Sequence, residues 1–161
     1  MNIFHLDNSP EQAAIYHNDK HVVKMILEAA QMLSTAHRVL DGDERADSLG
    51  LYKTAMKNHP CTIWVRETSD NYMWLYEHFY ALCSEYTTRY GREHLSFTKL
   101  NDNLSKLPLN IAISHKTTMP QAMPDEYKCQ DPIKAYRDYM VNEKHYAKWN
   151  KIPERQPMWW S

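Results

Sequence analysis

Apolar and polar positions both recur at helical spacing between His17 and Thr35. Val22, Val23, Met25, Ile26, Ala29, Ala30, Met32 and Leu33 cover one half of a helical projection. At about 100° per residue, Lys20, His21, Lys24, Glu28, Gln31 and Thr35 all fall within roughly 60° of His17. The pattern predicts an amphipathic helix with a narrow, chemically mixed polar stripe. Ser9 is a capping residue, Pro10 suits a first helical position, and Gln12 sits where a capping-box partner belongs. The helix therefore starts at Pro10 and runs to about Leu40, with Asn18 or Asp19 able to cap a second segment if it breaks there.

Before it, MNIFHLD reads as an extended apolar segment lying on the core. After it, DGDERADSLG (41–50) reads as a polar loop and 51–57 as a short helical piece. Pro60 starts a helix through Thr68, and Ser69 or Asp70 caps a longer one that ends at Gly91. On that helix Tyr72, Tyr76 and Tyr80, with the neighbouring stripe Leu75, Phe79, Leu82, Cys83 and Tyr86, read as core, and Trp74, His78 and Glu85 lie on another side. Prolines 108, 120 and 124 break up 92–130, and Asp131-Pro132 starts a last helix reaching Trp149. The expected fold is mainly α: one domain over 1–161, a bundle of five to six helices with a short extended N-terminal segment and irregular loops.

Composition narrows the class. Of 161 residues, 43% are hydrophobic and 24% charged, and only 3 are glycine, which suits a globular helical chain better than a turn-rich β fold. Three unpaired-looking cysteines (Cys61, Cys83, Cys129) and no secretory or membrane-spanning pattern lead us to expect a cytoplasmic protein with free thiols. The net charge of -1 argues against a generic polyanion binder, but its distribution restores the idea. From Lys128 onward, seven basic residues (Lys128, Lys134, Arg137, Lys144, Lys148, Lys151, Arg155) accompany four acids, interleaved with Tyr136, Tyr139, Tyr146, Trp149, Trp159 and Trp160. Basic side chains position a phosphate backbone and aromatic ones stack on bases, so Lys128, Arg137, Lys148 and Trp149 are candidates for nucleic-acid contact.

The stripe itself is the candidate site. A solvated helix face is the plainer reading of it, but such a face seldom carries two histidines one turn apart, and the small apolar run at 29–36 suits a helix inside a bundle. His17 and His21 are proton-transfer candidates. Lys20 and Lys24 are amine candidates, since neighbouring cations lower a lysine's pKa, and Glu28 is a candidate acid or base. His17 and His21 also have the spacing of helical metal ligands, with His59 or Glu28 as a third, yet the adjacent lysines repel a divalent cation, so no metal is expected. Asn58, His59 and Arg66, flanking a helix start at Pro60, are candidates for phosphate.

The opening MNIF, the segment KHVVKMILE, NHPCTIW, TTRYG and AMPDEYK followed by AYRDYM together resemble a family of small proteins common in bacteriophage genomes. More distantly, the layout resembles the phage pyrimidine-dimer DNA glycosylases of the endonuclease V type. That resemblance implies an N-terminal segment in the active site, a DNA substrate, no cofactor and a working place in the infected host cell. It implies an N-terminal amine that attacks the sugar C1′ to form a Schiff base, aided by a glutamate on the first helix. His17 corresponds to the family histidine. Seven residues later, where the glutamate falls, stands Lys24, and Glu28 lies one turn further on. Asn2 disfavours removal of Met1, so Met1 supplies the amine, with Lys20 and Lys24 as the alternatives. The expected function is a DNA glycosylase/AP lyase acting on damaged or modified bases. The competing readings are a non-enzymatic phage accessory protein that binds a host protein or nucleotide, and a metal-dependent hydrolase.

Overall fold

A computed structural model describes residues 1–161 and contains helices but no strand. In chain order they are α1 (Pro10–Tyr16), α2 (Asp19–Asp41), α3 (Asp43–Ser48), α4 (Pro60–Glu67), α5 (Ser69–Tyr90), α6 (Leu95–Leu104) and α7 (Pro132–Glu143), with 3-10 turns at Asp125–Tyr127 and Pro153–Arg155. None is long and apolar enough to cross a membrane. All seven α-helices feed one apolar cluster of 32 buried residues.

Local chemistry sets most boundaries. Ser9 accepts from the Gln12 amide at the start of α1, and Asn18 accepts from the His21 amide at the start of α2. Each cap stabilises its helix by about 1 kcal/mol. The chain therefore breaks between Tyr16 and Asp19, and His17 closes α1 instead of opening the stripe of α2. Thr68, one residue ahead of the expected cap, starts α5, and Gly91 ends it in the left-handed region at φ 74°.

Helix α5 is buried on two sides. Tyr72, Leu75, Phe79 and Leu82 face the interior, as their spacing predicts, whereas Tyr80 is half exposed beside Phe97, and Trp74, His78 and Glu85 are buried as well. Trp74 and His78 meet α1 and the residues before it, Trp74 Nε1–H donating to the Asn8 carbonyl and His78 Nδ1–H to that of Pro10, while Glu85 accepts from Arg89 and Arg155. The first residues thus lie in a channel over α5, with Ile3, Phe4, His5 and Leu6 all buried.

Three expectations fail for a common reason. The 41–50 loop contains a helix, 51–55 is not helical, and the last helix stops at Glu143 instead of Trp149. In the first two, the buried guanidinium of Arg38 takes the Leu51 and Tyr52 carbonyls and the carboxylates of Asp43 and Asp47. The hydroxyls of Ser34 and Thr35 accept from the Tyr52 and Ala55 amides. These bonds hold 51–55 out straight along α2 and fix α3 beside it. Past Glu143 the chain turns back so that Trp149 is buried, its Nε1–H donating to the Tyr16 carbonyl, while the Lys148 carbonyl accepts the Asp19 amide. Hydrogen-bond partners on another element decide each case, fixing a helix within 41–50 and withholding one from 51–55 and from 144–149.

Candidate active site

Met1 and Asn2 reach the middle of α2 because of a turn at Phe4. Phe4 adopts φ 58°, a conformation a bulky residue rarely accepts. Its ring is held 4.7 Å from that of His21 and 6.2 Å from that of Tyr136, which keeps the strained backbone in place. Asn2 completes the turn. Its Oδ1 accepts from the Ile3 and Phe4 amides at 2.8 and 3.2 Å, and its Nδ2 donates to the Ala122 carbonyl at 2.9 Å. The Asn2 backbone amide donates to Glu28 Oε1 at 2.9 Å, and the Met1 ammonium stands 3.5 Å from the same oxygen. The Glu28 side chain is 13% exposed, so this pairing sits at the mouth of a cavity and not on open surface.

That cavity has a volume of about 480 Å³. On one side it is lined by Met1, Asn2, Phe4, Lys24, Met25 and Glu28, with His59 and Pro60 from the start of α4. The other side is Gln121, Ala122, Met123, Lys128, Tyr139 and Lys144. Tyr136 fixes this second wall, accepting from the Ala122 amide and donating to the Pro120 carbonyl. Gln121 and Cys129 pair reciprocally through the Gln121 amide group and the Cys129 backbone. Three lysines and the α-amine thus share the lining with a single carboxylate, Glu28. His59 Nδ1 accepts the Cys61 amide as the cap of α4, which leaves Nε2 to carry the ring proton. Partial burial, then the nearby α-amine, pushes the His59 pKa down, with Glu28 opposing, so the ring faces the cavity as a neutral donor.

A sequence model of pyrimidine dimer DNA glycosylases matches residues 1–98. The chain belongs to the pyrimidine dimer DNA glycosylase family. Family membership makes DNA the substrate. No curated protein and no solved structure matches the chain. The matched part of the chain supplies the first wall of the cavity entirely, and the second wall comes from outside it.

Of the residues singled out from the sequence, Lys24, Glu28, His59 and Lys128 meet at this cavity. The others lie elsewhere. His17 is fully buried, with Nδ1–H donating to the Ala13 carbonyl at 2.7 Å and its ring against that of His78. Burial, followed by the charge of His78, lowers its pKa well below the usual value. His21 is 2% exposed and pairs through Nε2 with the Tyr146 hydroxyl at 2.6 Å. Burial and then Lys144, Lys24 and Lys20 push its pKa down to about 3, so it stays neutral. Arg66 donates to the Lys57 carbonyl outside the cavity, and Asn58 is exposed while His59 does the capping. Arg137 fastens the N-terminal segment through the Leu6 carbonyl and Asp7, and lies over the Tyr16 and Trp159 rings. Trp149 is an anchor in the core, and Lys20 and Lys148 border a separate hollow. No group of three or more His, Cys, Asp or Glu side chains is arranged to hold a metal ion.

Sequence reasoning missed Asn2, Gln121, Tyr139 and Lys144. The excess of basic residues after Lys128 contained a signal for Lys144. Nothing local signals that Asn2 reaches the Ala122 carbonyl, beside Gln121, across a gap of 120 positions.

Proposed function

We propose that this family member is a DNA glycosylase/AP lyase in which the α-amine of Met1 is the nucleophile and Glu28 its proton acceptor. One observation carries the reading: the Met1 ammonium and the Asn2 amide converge on Glu28 Oε1 at the mouth of a cationic cavity. Glu28 takes a proton from the ammonium, freeing the lone pair. The amine attacks C1′ of the damaged or modified nucleotide. The new N–C1′ bond forms as the bond from C1′ to the base breaks, and the departing base leaves with that electron pair and then takes up a proton. Opening of the sugar ring gives an imine on Met1. Loss of a C2′ proton expels the 3′ phosphate, and water releases the amine.

The other groups have supporting tasks. Lys24, Lys128 and Lys144 supply positive charge for the flanking phosphates. His59, a neutral donor, is suited to hydrogen-bond the sugar oxygen or the leaving base. Asn2 holds the amine in place by pinning the turn to the Ala122 carbonyl. Lys24 is the second amine of the cavity and the rival nucleophile. In keeping with the phage resemblance, the setting is the cytoplasm of an infected cell.

Borohydride reduction of the imine on duplex DNA with an abasic site tests this. A trapped complex whose DNA maps to the Met1 amine, lost on N-terminal acetylation, is the expected result. Mapping to Lys24 replaces the nucleophile, and no trapping by the wild type removes the lyase reading.

A further inference from the structure

From Lys24 toward the start of α2 lies a second hollow of about 770 Å³. Lys20, Lys24, Lys148 and Lys151 border it, together with Tyr90 and Tyr146. None of these four lysines has a carboxylate within ion-pair distance, in contrast to Lys53, Lys128 and Lys134 elsewhere. The single acid of the hollow, Asp19, is already engaged. Its Oδ1 meets the Arg89 guanidinium at 3.2 Å and its Oδ2 accepts the Lys151 amide at 3.0 Å.

The hollow is also built on fixed supports. The Lys20 ammonium sits 4.9 Å from the centre of the Tyr146 ring, and that of Lys151 sits 5.0 Å from the centre of Tyr90. Both rings are tied in turn, Tyr146 to His21 and Tyr90 to the Asp19 carbonyl. The tail bearing Lys148 and Lys151 is held by the Asp19 amide on the Lys148 carbonyl and by Arg155 on Glu85. On the cavity side, Lys144 lies over Tyr139 at 4.8 Å in the same manner. Solvated lysines ordinarily sweep a wide volume, whereas Lys20 and Lys151 are seated on rings, so less entropy is lost when an anion arrives.

We infer that this hollow is a second phosphate-backbone site, which seats the DNA strand where it leaves the amine cavity. Lys24 borders both recesses and makes them one continuous cationic track. The inference rests on the reading of the chain as an enzyme of DNA, and concerns where the duplex runs, not the chemistry.

The test is the salt dependence of binding to a short fluorescent duplex with one abasic site. Each lost phosphate contact lowers the slope of log K against log salt by about 0.9. The K148A/K151A double variant is expected to lose about 2 from the slope, and K148R/K151R to keep it. The hydrogen bonds these two residues make to Asp19 use main-chain atoms alone, so the alanine variant keeps them and loses only the side-chain contact of Lys151 with Tyr90. Lys53→Ala, paired to Asp47 away from the hollow, is expected to leave the slope unchanged. An unchanged slope in K148A/K151A overturns the inference and leaves the amine cavity standing. Failure of borohydride trapping overturns the cavity reading, while the slope still decides on the hollow. A wild type that binds no duplex overturns both.

Discussion

The row of ionisable side chains from His17 to Glu28 ends in two opposite environments. At the imidazole end, His17 packs against His78 and His21 against Phe4, both under the chain's own first residues. At the amine–carboxylate end, Lys24 and Glu28 stand at the mouth of a cavity. The cover is the N-terminal segment, which crosses the histidines, turns at Phe4 and stops at Glu28. The same segment therefore dries one end and delivers a nucleophile candidate to the other. A buried ring without charge serves packing, whereas a carboxylate beside an ammonium and open space can move a proton.

The contrast is broken or sharpened by substitution at each end. Glu28→Gln is expected to have the largest effect, lowering the rate of imine trapping by about 10²-fold or more, in line with the loss of a general acid–base group, with the unfolding midpoint little changed. Trapping at the wild-type rate removes Glu28 from the chemistry. At the other end, His17→Ala leaves a void in the core and should cost on the order of 3 kcal/mol in urea unfolding, with the trapping rate per folded molecule preserved. A loss of rate without a loss of stability reverses the assignment of the two ends.

Acid should find the imidazole end first. Burial holds His78 down at about 4, with the Pro10 carbonyl opposing, and His21 is held at about 3. The unfolded chain binds protons at these positions near pH 6.5 and the folded chain does not. Unfolding free energy is therefore complete above pH 6.5 and falls as the pH drops toward 4 and 3. Denaturant titrations across that range should show the decline, and its absence in His78→Phe would assign it to that ring. A flat wild-type profile contradicts the burial of neutral imidazoles.

Smaller effects come from the rim. Lys24→Ala is expected to lower trapping roughly tenfold, the scale of one exposed charge–phosphate contact. If Lys24 is the nucleophile, trapping disappears instead. Arg66→Ala should change duplex affinity and stability by less than about 0.5 kcal/mol, as for an ordinary surface residue. A clear loss of affinity would bring the start of α4 into the DNA surface.

Helix caps were the most readable features. Ser9 with Pro10, Asn18, Gly91, and Asp131 with Pro132 act on neighbours within a few residues, so the boundaries they set follow from local spacing. The helical stretch expected over 51–57 failed because the Arg38 guanidinium and the Ser34 and Thr35 hydroxyls claim that backbone from another element. The site divides along the same line. Lys24, Glu28 and His59 stood out by residue type and spacing. Arg137, equally basic, turned out to clamp Leu6 and Asp7, and Trp149 to plug the core, because charge and aromaticity say nothing about which partner is nearest.

The sequence by itself determined the helical class, the amphipathic face of α2 and most of the helix ends, since periodicity and capping act over one or two turns. Only the tertiary structure decided which polar residues of that face would be sealed and which left open. Covering a side chain depends on segments far along the chain, here residues 1–6 on one side and 121–149 on the other, and their path is fixed by packing and not by anything written beside the residues they cover.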